Sequence, residues 1–198
     1  MSLEKYFLEH KKNALQKLEK AIDEKEVDTD ILSILNLINA SDEYYTSSSC
    51  TGRIVLLEIP NIGDKKGAKF LGKWHRIIES DEVLSATKNA KTGLLWLLAQ
   101  SPIIHMAART NAAADKILKI AISSGFKNSG LKSIGKRIIV EICSTERIDA
   151  PIGKNGELLC SLEHLKLLIN ISNEIIRKSN IKLGRFERML LDSGYHHE

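Results

Sequence analysis

The sequence lacks most of the signals that announce a common chemistry. No apolar run approaches the roughly 20 residues that a membrane-spanning helix needs, and the first residues are amphipathic and charged rather than signal-like. The expectation is therefore a cytoplasmic protein with no membrane partner. Its three cysteines, Cys50, Cys143 and Cys160, are an odd number at wide spacings. They make neither a disulfide framework nor a paired CxxC metal site, and no metal is expected. P-loop, HExxH and GxSxG patterns are missing. So is the glycine-rich strand-to-helix fingerprint of the doubly wound nucleotide folds. No Pro- or Gly-rich linker occurs, so 1–198 reads as one compact domain.

What is present is ordinary for a globular protein: 198 residues, 43% hydrophobic and 27% charged, enough to bury a real core. The net charge of +4 permits an anionic partner such as RNA without demanding one. Leu3, Tyr6, Phe7, Ala14, Leu15, Leu18 and Ile22 recur at helical spacing, giving an amphipathic helix of about six turns. Its lysines at 5, 11, 12, 17 and 20 are most simply a solvated face, with a phosphate-facing stripe as the other reading. Asp28-Thr29-Asp30 caps a second helix ending near Ala40, which completes an N-terminal helical pair over 1–40.

Thr46-Ser47-Ser48-Ser49-Cys50-Thr51-Gly52-Arg53 then runs into the strand-like Ile54-Val55-Leu56-Leu57. Small hydroxyl residues and a glycine let a backbone turn and approach a ligand, and Arg53 offers a planar fork to a carboxylate or phosphate. The plain reading is a polar loop before a buried strand. Of the preceding Tyr44-Tyr45, alternation packs one and exposes the other. After a turn-rich loop at 61–67, a strand contains Gly72-Lys73-Trp74-His75-Arg76-Ile77-Ile78. Basic residues interleaved with an aromatic suit base stacking and phosphate holding; the alternative is an edge strand with Trp74 in the core.

A short helix over 81–89 precedes two buried strands, 93–99 and 103–109, broken by Gln100-Ser101-Pro102. In the second, His105 and Arg109 share a side, the pattern of a pocket-lining pair or of a core histidine. Thr110-Asn111 caps a helix that ends at Ser124-Gly125, and Lys127 lies in the following turn. Ile134–Ile142 echoes Gly52–Glu58, a possible diverged internal duplication. Asn155-Gly156 signals a hairpin. A long helix over 161–194, interrupted at Gly184, completes an α+β fold with one mixed sheet.

Ser48-Ser49-Cys50-Thr51-Gly52-Arg53, Phe70-Leu71-Gly72-Lys73-Trp74-His75, Pro102…His105…Arg109 and Ala121 through Leu131 occur in one order. With Leu167-Leu168-Ile169-Asn170 and Arg185-Phe186-Glu187-Arg188, they make the chain resemble archaeal members of the tRNA wybutosine-synthesising protein 3 family. The resemblance implies an S-adenosylmethionine-dependent methyltransferase acting on N4 of the tricyclic wyosine-type base built from guanosine 37 of phenylalanine tRNA. It implies this outside the doubly wound fold, in keeping with the missing fingerprint. On that footing His105 is the candidate proton acceptor. Ser48, Ser49, Gly52, Arg53, Ser124 and Gly125 are candidates for the cofactor. Lys73, Trp74, His75, Arg109 and Lys127 are candidates for the tRNA anticodon loop. Cys50 as a methyl relay is the less economical alternative, and a monomer is expected. A non-catalytic scaffold presenting the anticodon loop would need the same basic surface without a cofactor pocket. An enzyme acting on a small anionic metabolite would need no tRNA affinity.

Overall fold

The computed structural model describes residues 3–64 and 66–195; Lys65, in the turn expected at 61–67, lies outside them. The fold is α+β, with no parallel sheet of the doubly wound kind among the described residues. The chain forms two compact units. Where one mixed sheet was expected there are two, and every strand pairing in them is antiparallel. The two buried strands expected on either side of Gln100-Ser101-Pro102 belong to different sheets.

The first unit takes in Met1–Thr51, Pro102–Thr145 and Asn180–Glu198. Its sheet has the order β1 (Tyr44–Cys50), β5 (Ile103–Ala108), β7 (Ile138–Cys143), β6 (Gly130–Ser133). One face presents Tyr44, Ile104, Met106, Ala108, Val140 and Ile142 to α2 (Leu32–Ala40), α4 (Asn111–Ser123) and the last turns of the C-terminal helix. The other face presents Tyr45, Ala107 and Ile139 to Phe7 and Ala14 of α1 (Leu3–Asp23). Covering both faces buries both tyrosines, against the expectation that one would be exposed. The Tyr44 hydroxyl donates to Ala113 O at 2.8 Å and accepts from the Tyr195 hydroxyl at 3.0 Å.

The serine tract is strand rather than turn. It lies on the edge of its sheet, where small polar residues and irregular pairing are tolerated. A bulge between Thr46 and Ser48 leaves Ser47 as the extra residue. Asn39 holds the strand's start through Thr46 N–H (2.8 Å) and Thr46 Oγ1 (2.9 Å). Asp28 does not cap the second helix with its side chain. Its carboxylate accepts instead from Thr51 N–H (3.0 Å) and Thr51 Oγ1 (2.9 Å), fixing the strand's end just before Gly52 turns the backbone at φ +100°.

The second unit takes in Gly52–Ser101 and Glu146–Ser179. Its sheet has the order β3 (Lys69–Trp74), β2 (Arg53–Ile59), β4 (Leu94–Gln100), β8 (Arg147–Lys154), β9 (Glu157–Leu158). Ile54, Leu56, Leu95, Leu97, Ala99 and Ile152 pack with Val83 of α3 (Ser80–Thr87) and with Leu165, Ile169 and Ile176 of α5 (Leu162–Asp192). The predicted hairpin joins β8 to β9, with Asn155 and Gly156 both at positive φ. The echoed segments enter β2 and β7, each a strand with a partner on both sides. Glu58 is buried, and its Oε1 accepts from the N–H groups of Lys91 (2.5 Å) and Thr92 (2.7 Å). Burial works to raise its pKa, yet these two donors, with the charges of Lys69 and Lys91, outweigh it and hold the carboxyl below its ordinary value.

Helix α5 runs unbroken through Gly184, correcting the expected interruption. A Cβ at Gly184 would meet nothing within 4 Å. Gly184→Ala is therefore expected to stabilise the protein by about 0.5–1 kcal/mol, read as a higher urea midpoint. Glu58→Gln should cost about 1 kcal/mol at pH 7, the difference between charged and neutral hydrogen bonds. Because the native pKa of Glu58 is lowered, its charge stabilises above the unfolded carboxyl pKa and that contribution fades as pH falls through the native value. The two urea midpoints should therefore converge on acidification; an unchanged gap at pH 3 would refute this assignment.

Candidate active site

The register of the first sheet sets three polar residues in line. Ser48 of β1 pairs with His105 of β5, and His105 pairs with Glu141 of β7. Lys132 is the extra residue where the β6–β7 register shifts, and it reaches the same carboxylate. Side chains of direct cross-strand partners share a face, and here they bond in sequence. Ser48 Oγ lies 3.0 Å from His105 Nδ1, His105 Nε2 lies 2.7 Å from Glu141 Oε2, and Lys132 Nζ lies 2.6 Å from Glu141 Oε1. Ser47 Oγ donates to His105 O at 3.3 Å. This row occupies the face that α1 covers at Tyr45, Ala107 and Ile139.

Electrostatics fix the direction of the hydrogen bonds. The Glu141 side chain is only 13% exposed. Burial pushes its pKa up, but the bonds from Lys132 and then His105 prevail and keep it below the usual carboxylate range. An ionised carboxylate only accepts. A neutral His105 therefore carries its proton on Nε2, leaving Nδ1 as an acceptor toward the Ser48 hydroxyl. Cys143 lies two residues along the same strand face, its thiol donating to Asn128 O at 3.2 Å. Burial, reinforced by Glu141, raises its pKa and keeps it a thiol.

A cavity of 380 Å³ opens between α1 and β1, within the range of about 300–1,000 Å³ typical of small-molecule sites. His10, Asn13, Ala14 and Lys17 line it from the helix, and Tyr45 through Ser49 from the strand. Ser48 thus faces the cavity and bonds to His105.

The other predicted residues have different surroundings. Arg109 shares the side of His105 as expected and is ion-paired with Glu4 of α1, while its N–H donates to Glu43 O at 2.8 Å. Ser124 is buried at the end of α4, its hydroxyl donating to Ile120 O at 2.8 Å. Gly125 follows at φ +107°, beside the Lys182 side chain. Helix α4 packs on the sheet face opposite to His105. Lys127 is exposed.

Arg53, Lys73, Trp74 and His75 belong to the second unit. Arg53 Nε donates to Gln100 Oε1 at 2.8 Å, and its guanidinium carbon lies 5.9 Å from the Phe70 ring centroid. Lys73 is exposed on an edge strand. Trp74 packs against the core and folds back over Gly72, where a Cβ would fall 2.0 Å from the indole. That is the edge-strand alternative. His75 and Arg76 lie beyond the strand end, and Arg76 forks onto Glu82 at 2.6 and 3.1 Å, bringing the Glu82 pKa down to about 2. Glu141 and Lys132 were not proposed as site residues from sequence, and Tyr45 was read only as one of a pair of strand tyrosines. The only hint was an acid at a face position of the otherwise aliphatic strand Ile138-Ile139-Val140-Glu141-Ile142.

A histidine tied to a hydroxyl and a carboxylate beside a cavity is an arrangement able to accept a proton, here carried on an α+β fold outside the doubly wound class. Residues 9–192 match the family profile described as Methyltransferase TYW3. A Pyrococcus abyssi protein named tRNA(Phe) 7-((3-amino-3-carboxypropyl)-4-demethylwyosine(37)-N(4))-methyltransferase 1 is 49% identical over 181 residues, 91% of this chain and 93% of the relative. A Methanocaldococcus jannaschii protein, named as the same methyltransferase without the numeral, is 44% identical over 93% of this chain and 96% of its own. Among solved structures, PH1069 protein from Pyrococcus horikoshii superposes with a TM-score of 0.90 at 46% identity, covering 96% of this chain and 98% of that one. A hypothetical protein from Aeropyrum pernix gives 0.73 at 30% identity, over 85% of this chain and 100% of that one. The chain belongs to the TYW3 methyltransferase family.

Glu141→Ala should remove the preference of His105 for the Nε2–H form. Long-range proton–nitrogen NMR would show that form in the wild type at a pH where the ring is neutral, and a mixture in the variant. A wild-type ring protonated on Nδ1 would overturn the assigned bond directions.

Proposed function

We propose that this protein transfers a methyl group from S-adenosylmethionine to N4 of the 4-demethylwyosine-type base at position 37 of phenylalanine tRNA. The observation that carries this reading is identity of 44–49% over nine-tenths of both chains with relatives named for that reaction. The scaffold alternative has no comparable support. We place the reaction in the cytoplasm and on the monomer; no helix among the described residues is long and apolar enough to cross a membrane.

The cavity between α1 and β1 fits the methyl donor in size and lining. Ser48 and Ser49 carry the cofactor role there, next to the apolar Ala14, Leu18, Val27 and Leu35 that suit a purine. Ser124 and Gly125 contribute by fixing the end of α4. Gly52 and Arg53 contribute by setting the turn out of β1 and the start of β2. When bound, S-adenosylmethionine supplies a methyl group activated by its sulfonium.

As the N4 lone pair becomes the new C–N bond, N4 must release its proton. Ser48 Oγ takes that proton and passes its own to His105 Nδ1, and the Glu141 carboxylate stabilises the imidazolium that results. Lys132 in turn keeps Glu141 ionised. Lys73, Trp74, His75, Arg109 and Lys127 contact the RNA, and only at their exposed atoms.

The test uses phenylalanine tRNA from a strain lacking this protein, incubated with protein and S-adenosylmethionine, then digested to nucleosides and weighed. One methyl gained on the tricyclic base is expected; bound tRNA with no gain would favour a scaffold. His105→Ala should lower the single-turnover rate by about 10²-fold or more, the span of general-base contributions. Full activity in that variant would remove His105 from the mechanism.

A further inference from the structure

Among the described residues that line the cavity, Tyr45 carries a buried hydroxyl that the fold engages only weakly. It is 3% exposed, and its ring packs on Phe7 with centroids 5.1 Å apart. Its hydroxyl has no hydrogen-bond partner of ordinary geometry among the described residues. A buried hydroxyl left without a full partner is costly, which points to a ligand that engages it. Arg137 lines the same cavity just before β7, and its guanidinium acts on the Tyr45 hydroxyl through its charge and as a weak hydrogen-bond donor, leaving the O–H itself free to donate. Burial raises the phenol's pKa and the guanidinium works against that rise, so the phenol stays a neutral donor. A donor hydroxyl beside a guanidinium is the arrangement that recognises a carboxylate. Glu26 lines the same cavity and offers a partner for an ammonium group.

We infer that the Tyr45–Arg137 corner binds the carboxylate of a 3-amino-3-carboxypropyl group. This rests on the methyl-transfer reading and supplies its recognition element. Two molecules in that reaction carry the group: the methyl donor bears it on sulfur, and the acceptor base named for the relatives bears it on the tricycle. The corner's chemistry is the same for both.

Calorimetry on the intact protein separates the sources. One arm compares S-adenosylhomocysteine with 5′-methylthioadenosine, which lacks the amino-carboxypropyl group. The other compares tRNA whose base carries that side chain with tRNA whose base does not. The variants are Tyr45→Phe, which keeps the ring on Phe7, and Arg137→Gln at an exposed position. If the donor is the source, each variant weakens S-adenosylhomocysteine about tenfold, the worth of roughly 1.4 kcal/mol, and leaves 5′-methylthioadenosine within about twofold. If the base is the source, donor affinity holds and discrimination between the two tRNAs disappears. Variants that change neither overturn the inference. Wild-type protein that binds no S-adenosylhomocysteine fails the methyl-transfer reading instead, and the corner is then judged on the tRNA arm alone.

Discussion

The Glu141 carboxylate is the constraint on which the site depends. It is mostly buried, and a buried carboxylate survives only with donors around it. His105 and Lys132 provide them from the strands on either side. The same demand orients the imidazole, and through it the Ser48 hydroxyl at the cavity wall. Holding that line requires the β1–β5–β7 register, because a slip of one residue in any of these strands would send its member of the row to the opposite face. The bulges at Ser47 and Lys132 let the two edge strands meet this register.

Much of the element order was legible in the sequence because it follows from local rules. The helical spacing of α1, the Thr110 cap of α4 and the Asn155-Gly156 turn each have a mechanism confined to a few neighbouring residues. Errors arose where tertiary context overrode such rules. Tyr44 and Tyr45 are both buried because both sheet faces are covered, which alternation alone cannot reveal. The serine tract is strand because β1 is an edge strand anchored by Asn39 and Asp28. Gly184 did not break α5, since one glycine costs little in a helix of 31 residues packed along its length.

The candidate site was half visible. Ser48, Ser49 and His105 carry polar chemistry in places where a core would not choose it, and family resemblance pointed to the same positions. Glu141 and Tyr45 could not be found this way: one depends on strand register, the other on a helix distant in sequence covering it. Of the residues grouped on their chemistry, Trp74 and Arg76 have structural engagements. Trp74 shields Gly72, and Arg76 holds the capping carboxylate of α3.

The way the chain is divided has a consequence for its biosynthesis. The first unit is assembled from three separate segments, and the Tyr195 hydroxyl closes onto Tyr44 across 151 residues. Its sheet can form once β7 has been made, but Leu183, Phe186 and Leu190 enter its core only with the final turns of α5. Until those turns of α5 are made, this unit has the edge of β1 exposed and one sheet face covered only by α2 and α4. Polar serines and a bulge along that edge make the incomplete unit a poor template for aggregation. The serines that line the cavity are thus also the residues that blunt an exposed sheet edge.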